Sequence, residues 1–237
     1  MNPTFITGRM TLGFCMVLSL ACASESVQEL SLPASFSGTI PCADCAGIHL
    51  TINLWTDSTF YLRQEYLGES DTVFDIGRWK SEGDLFTLVG AHNVPMSFHL
   101  ESPASLHMLD LEGNPIDSDL NYDLAKLTDL ELFEPQLSLR GMYSYMADAG
   151  QFRECLSGRR FFVAQEGDNA ALERAYTAKR KEPAEPWLVL LEGVITKRPR
   201  MDGRGKEEVV VVKKFIAISS GECDTAFPKD SSGFPAR

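Results

Sequence analysis

Two cysteines three positions apart are the residues of this sequence whose types and spacing could do chemistry. Cys42 and Cys45 lie between Pro41 and Gly47. Proline has no amide hydrogen for a strand ladder and glycine tolerates positive φ, so the segment is predicted to be an ordered bend between two strands. The two sulfurs therefore face one small volume, where they could bind a metal, form a disulfide or exchange electrons.

Three kinds of chemistry are open to this pair. A disulfide would pin the loop. Soft thiolates suit Cu(I), whereas a closed zinc site needs two further ligands and the sequence has no second Cys-x-x-Cys. Redox catalysis is disfavoured, because thioredoxin-type motifs lie at a helix N-terminus and both flanks here are predicted strands. The candidate helper ligands for a metal are Met96, Met108, His92, His99 and His107.

The first residues predict export. Arg9 precedes an apolar run that ends at Ala21, which is the length of a signal-peptide core and is too short to span a bilayer. The segment from Leu18 to Cys22 resembles a lipobox, so residues 1–21 are predicted to be a signal peptide and Cys22 to be lipidated. The alternative is ordinary secretion, with cleavage at an A-x-A site in residues 21–23.

Export changes how the six cysteines are counted. Cys15 and Cys22 belong to the N-terminal segment, which leaves four thiols in an oxidising compartment. Two disulfides are expected, with three connectivities possible. The simplest division pairs Cys42 with Cys45 and Cys155 with Cys223, and the distant pair could be either a staple of its domain or a redox switch.

Composition narrows the function classes. The chain has 237 residues and a formal net charge of −11, so its surface should repel phosphate backbones, and no nucleic-acid partner is expected. A hydrophobic share of 44% is ample for packed cores and argues against wholesale disorder. No catalytic residue is assigned, because no Ser-His-Asp or paired-carboxylate motif is recognisable.

The predicted elements that must position the cysteines are mainly strands. Residues 35–121 show short alternating runs with turn residues between them, which indicates an antiparallel sandwich or a small closed barrel. Residues 122–136 are predicted to be a linker that could include a last strand. Residues 137–223 combine several strands, one with a glycine bulge at Gly141, and one helix over 170–181, which is consistent with a five-stranded OB barrel. Residues 224–237 are predicted to be a disordered tail.

Five motifs together resemble the NlpE family, the copper homeostasis and adhesion lipoproteins. They are Ile40-Pro-Cys-Ala-Asp-Cys-Ala-Gly-Ile48, Tyr66-Leu-Gly68, Met108-Leu-Asp-Leu-Glu-Gly-Asn-Pro-Ile116, Leu139-Arg-Gly-Met-Tyr-Ser-Tyr-Met-Ala-Asp148 and Leu172-Glu-Arg-Ala-Tyr176. The resemblance implies an all-β protein with a lipocalin-like N-terminal antiparallel β-barrel and a C-terminal OB-fold barrel with one helix.

The same resemblance implies a function. It implies a lipoprotein on the periplasmic face of the cell outer membrane that senses envelope stress through surface contact, copper or thiol state, and signals to the Cpx two-component system. Its expected partners are the Cpx sensor kinase and the lipoprotein sorting machinery. Without lipidation of Cys22 the protein would be soluble in the periplasm. No cofactor is expected to be obligatory, and copper is the candidate ligand.

The sequence therefore supports three hypotheses about function. The first is a non-enzymatic, lipid-anchored envelope sensor. The second is a periplasmic barrel that binds copper or a small ligand without signalling, and it predicts a sizeable apolar cavity within residues 35–121. The third is a thiol oxidoreductase. It is the least favoured, and we expect the protein to show no insulin-reduction activity.

Overall fold

The computed structural model describes Met1 and residues 30–90, 95–200 and 203–223. Apart from Met1, the predicted signal peptide lies outside these residues, as do the predicted lipidation site Cys22, the candidate ligand His92 and the predicted tail at 224–237. Within them, no helix has the length and apolar character needed to cross a membrane.

Eight antiparallel strands close into the N-terminal barrel. They are β1 Ala34–Ile40, β2 Ile48–Leu54, β3 Thr59–Tyr66, β4 Thr72–Glu82, β5 Leu85–Gly90, β6 Met96–Ser102, β7 Ser105–Met108 and β8 Asp123–Lys126. Neighbours in sequence pair with one another, and β8 closes the barrel by pairing with β1, where Phe36 lies opposite Lys126 and Ser37 opposite Ala125. The barrel predicted from the alternating runs is confirmed.

Alternation along the strands explains the interior of this barrel. In β2, Leu50, Ile52 and Leu54 are almost fully buried and point inward. They pack with inward side chains of the other strands, which include Phe36, Phe60, Leu62, Phe86, Leu88, Phe98, Leu100, Leu106 and Leu124. These side chains occupy the interior, which argues against the hypothesis of a large apolar ligand cavity.

The segment 122–136, predicted to be a linker that could include a last strand, does contain that strand. Its residues include β8, which the barrel needs for closure, and Gln136, which begins the next strand. Of the four residues of β8, Leu124 alone is fully buried, between two exposed neighbours. So short a segment has too little hydrophobic alternation to define the bounds of a strand from sequence.

The C-terminal half forms a second closed barrel, of five strands with one helix. Its elements are β9 Gln136–Met146, β10 Ala149–Glu154, β11 Arg160–Gly167, α1 Asn169–Lys179, β12 Trp187–Pro199 and β13 Lys206–Ser219. The strand order is β10-β11-β13-β12-β9, and β11 and β13 pair in parallel. This topology, with the helix between its third and fourth strands, is that of an OB fold, as predicted.

One local prediction in this barrel is corrected. Gly141 does not form a bulge, since β9 keeps continuous register with β10 and β12 around it. Glycine is needed there because a Cβ would lie 2.4 Å from the ring of Phe152. Asp168 occupies the N-cap position of α1 without a side-chain capping bond, because its carboxylate accepts the backbone N–H of Phe215 on β13 at 2.8 Å.

Part of the outer face of the first barrel packs into the hydrophobic core of the second. Tyr61 and Ile76 lie opposite each other on the outer face of β3 and β4. Both are at most 2% exposed, because they pack into the hydrophobic cluster of the C-terminal barrel. Trp55, Phe74 and Phe133 line the edge of the same cluster. The outer surface of the first barrel is therefore part of the packing of the second.

Candidate functional site: the two disulfides and the turn between the barrels

Cys42 and Cys45 form a disulfide in the loop between β1 and β2, with their Cα atoms 5.3 Å apart. The loop is tied to the β3–β4 turn, because Ala46 N–H donates to Leu67 O at 3.3 Å and Leu67 N–H to Gly47 O at 2.9 Å. Gly47 has a φ of 142°, and a Cβ there would lie 2.9 Å from a methyl group of Thr39. The ordered bend is as predicted, and it presents both cysteines at a partly exposed surface.

Among the described residues, the candidate helper ligands His99 and His107 do not converge with Cys42 and Cys45. In the part of the chain that the structure describes, one group of three metal-ligating side chains converges, and it consists of Glu101, His107 and Asp123. Neither Cys42 nor Cys45 belongs to it. Metal binding at the cysteine pair would need the disulfide to be reduced, after which the two soft sulfurs of one turn would be the donors.

Cys155 and Cys223 form the second disulfide, with a Cα–Cα distance of 5.2 Å and a sequence separation of 68. Cys155 begins the turn that joins β10 to β11, and Cys223 follows β13. The Cys155 N–H donates to Arg140 O on β9 at 2.9 Å. The simplest division of the four thiols is thus the observed one.

A buried carboxylate holds the turn that follows Cys155. Glu154 is 2% exposed and accepts the backbone N–H groups of Leu156 at 3.0 Å and Ser157 at 2.6 Å, together with the Ser157 hydroxyl at 2.7 Å. Burial raises the pKa of Glu154 above its ordinary value, although these hydrogen bonds act in the opposite direction. The hydrogen bonds to the buried carboxyl group of Glu154 therefore hold the turn in one conformation.

The same turn carries the polar contacts to the N-terminal barrel. Arg78 of β4 donates to Ser157 O at 2.7 Å. Arg159 donates to the Tyr61 hydroxyl and to Glu208 Oε2, the latter at 2.6 Å, and lies 3.6 Å from Asp57. Its guanidinium also stacks near the rings of Trp55, Tyr61 and Phe161 at 5.2 to 5.7 Å.

Sequence reasoning did not find this Arg159 cluster. Its members come from both barrels and from positions far apart in the chain, so no local motif signals it. The burial of Tyr61 raises the pKa of its hydroxyl, which keeps it a neutral donor and acceptor at physiological pH. The arrangement shows a packed, charged joint next to a disulfide.

Both barrels are similar to domains of known proteins. The family model of the NlpE N-terminal domain matches residues 36–119, and that of the NlpE C-terminal OB domain matches residues 134–224. The chain is 39% identical over 176 residues to Lipoprotein NlpE of Escherichia coli (strain K12), covering 73% of this chain and 72% of that protein.

The chain belongs to the NlpE family.

Two solved structures are also similar to the present chain. One is the Cpx pathway activator NlpE from Escherichia coli, with 34% identity, coverage of 82% of this chain and 100% of that chain, and a TM-score of 0.36. The other is a lipoprotein from Shewanella oneidensis, with 32% identity, coverage of 42% and 93%, and a TM-score of 0.37. The Escherichia coli relative is named as a lipoprotein and not as an enzyme.

Proposed function

We propose that this chain is an outer-membrane lipoprotein that senses envelope stress and signals to the Cpx two-component system, without catalysing a reaction. Its membership of the NlpE family supports the proposal, because both family domains match and the Escherichia coli protein is described as an activator of the Cpx pathway. Cys22 would carry the lipid anchor, the lipoprotein sorting machinery would deliver the protein, and the Cpx sensor kinase would receive the signal.

The position of Cys155 and Arg159 in one turn is the observation that supports the sensing mechanism. Cys155 lies four positions before Arg159 in one turn, and Arg159 bonds both barrels. Reduction of the Cys155–Cys223 disulfide would free the segment after β13 and remove one restraint on this turn. We infer that thiol state is thereby passed to the contact between the barrels.

Replacement of Cys155 and Cys223 together by serine tests this mechanism. A Cpx-controlled reporter is expected to rise in cells that carry the double variant, because the variant mimics the reduced state. The matched control is the Cys42→Ser/Cys45→Ser variant, whose disulfide precedes β2, whereas Trp55 and Asp57 of the joint follow that strand. Immunoblots would equalise protein amounts. Unchanged reporter output from the Cys155→Ser/Cys223→Ser variant would remove thiol sensing from the proposal.

Copper binding is a second candidate function, favoured by the position of the first pair. Cys42 and Cys45 offer two soft sulfur donors in one partly exposed turn, and these suit Cu(I) once the disulfide is reduced. The reduced protein is expected to bind one equivalent of Cu(I) in competition with a colorimetric chelator. The Cys42→Ser/Cys45→Ser variant should lose that equivalent while Cys155→Ser/Cys223→Ser retains it, and the reverse pattern would contradict the assignment.

A further inference from the structure

A row of ionisable side chains crosses three strands on the outer face of the N-terminal barrel. His99 on β6 lies opposite His107 on β7, and His107 lies opposite Asp123 on β8. Side chains directly opposite one another on one face of adjacent strands are separated by about 5 Å at their Cβ atoms. The register therefore places two imidazoles and a carboxylate side by side, although their positions are distant in sequence.

Glu101, two residues beyond His99 on β6, joins this row. One ligand atom from each of Glu101, His107 and Asp123 lies within 4.8 Å of the other two. His107 Nδ1 is 2.6 Å from Asp123 Oδ1. Donors bound to zinc at about 2.1 Å in a tetrahedral site are about 3.4 Å apart, so adjustment of exposed carboxylate side chains by roughly 1 Å would complete the geometry.

The strands that carry these side chains pack against the interior of the barrel. The outward residues alternate with inward neighbours that are at most 5% exposed, namely Phe98, Leu100, Leu106 and Leu124. The side chain of His107 is itself 22% exposed, whereas that of Asp123 is 53% exposed. A closed barrel fixes the backbone spacing of the three strands, so the donors would lose little freedom when a cation binds.

We propose that Glu101, His107 and Asp123 form a binding site for a divalent transition-metal ion, with Zn(II) as the ion of choice. Imidazole nitrogen with carboxylate oxygen is a donor set for divalent ions such as Zn(II) and contains no soft sulfur, which distinguishes it from a Cu(I) site. Two carboxylates on a chain of net charge −11 favour a cation. His99, opposite His107 in the register, does not belong to the converging group. The site is independent of the cysteine pairs and of the sensor role.

Titration with Zn(II) tests the site in the full chain, purified with both disulfides formed and its free thiols alkylated so that sulfur cannot contribute. Calorimetry in a non-chelating buffer is expected to show one equivalent bound. His107→Gln and Asp123→Asn should each weaken the affinity about tenfold or more, in line with the loss of a metal-site partner. The matched control is His49→Gln, a barrel histidine that bonds Ser37 and Thr39 and lies outside the group.

Two readouts separate a site from an ordinary histidine–aspartate ion pair. Zn(II) should raise the thermal midpoint of the wild type and of His49→Gln but not that of His107→Gln, because an ion that binds only the folded state stabilises it. Denaturant unfolding without metal checks that each variant folds. Absence of Zn(II) binding to the wild type, or equal binding by wild type and His107→Gln, would overturn the proposal.

Discussion

Glu154 is a buried side chain whose pKa makes the stability of the C-terminal barrel depend on pH. Its carboxylate is buried and accepts three hydrogen bonds from the turn after Cys155. Burial raises its pKa in the folded protein above the ordinary value of 4.5. In the pH range immediately above that value, the folded chain retains a proton that the unfolded chain has released, so the contribution of Glu154 to stability falls as pH rises.

The Glu154→Gln substitution removes this titration. We expect the free energy of unfolding of the wild type, relative to that of Glu154→Gln, to decrease as pH rises from about 4 to about 7. Denaturant unfolding at several pH values measures the difference. Glu112→Gln, at an exposed glutamate between β7 and β8, is the control and should keep the wild-type profile. A difference that stays constant or grows with pH would contradict the assigned direction.

Two disulfides of different span restrain two different elements. The Cys42–Cys45 bond closes a bend of sequence separation 3, whereas the Cys155–Cys223 bond has a separation of 68 and joins the β10–β11 turn to the segment after β13. The entropy lost by the unfolded chain grows with the length of the closed loop. The distant bond should therefore contribute more to stability.

Serine replacement of each pair measures that contribution. In the chain-entropy account, loss of the distant bond is expected to lower the free energy of unfolding by about 4 kcal/mol and loss of the local bond by about 2 kcal/mol. Urea denaturation of the two double variants, monitored by circular dichroism, gives both values. If the local pair proved the more stabilising, loop closure would not be the source of the effect.

Arg159 connects the two barrels of the molecule, because it bonds to Tyr61 of the first and Glu208 of the second. Its guanidinium and Glu208 form a pair at 2.6 Å, with side chains only 20% and 19% exposed. Because the pair is largely removed from water and lies against aromatic rings, loss of one partner leaves the other charge poorly solvated. Tyr61 brings the outer face of the first barrel into the same cluster.

Arg159→Ala is accordingly expected to destabilise the protein by roughly 2–4 kcal/mol. Arg198→Ala is the matched control, because Arg198 pairs with Glu166 at 2.9 Å on a surface where the side chains are 44% and 47% exposed. That substitution should change stability by no more than about 1 kcal/mol. Tryptophan fluorescence during denaturation reports both, since Trp55 lies beside Arg159. Equal effects of the two substitutions would show that the joint adds no stability beyond a surface pair.

The sequence by itself determined the strands whose side chains alternate strongly. The β2 run with Leu50, Ile52 and Leu54 defines its own inner face, because a period of two depends only on neighbouring residues. The four valines at residues 209–212 indicate a strand by composition, and all four are buried. The bend at Cys42 and Cys45 was readable for the same reason, as proline and glycine restrict φ locally. The family resemblance then extended these local signals to two barrels.

Tertiary structure alone decided which distant residues meet. Tyr61 reads as an outward residue of a half-buried strand, yet it is 2% exposed because a second barrel covers it. Arg159 finds Glu208 and Tyr61, and His107 finds Asp123, through strand register and barrel closure. Such contacts depend on how whole sheets close and pack, and local side-chain periodicity contains no information about that arrangement.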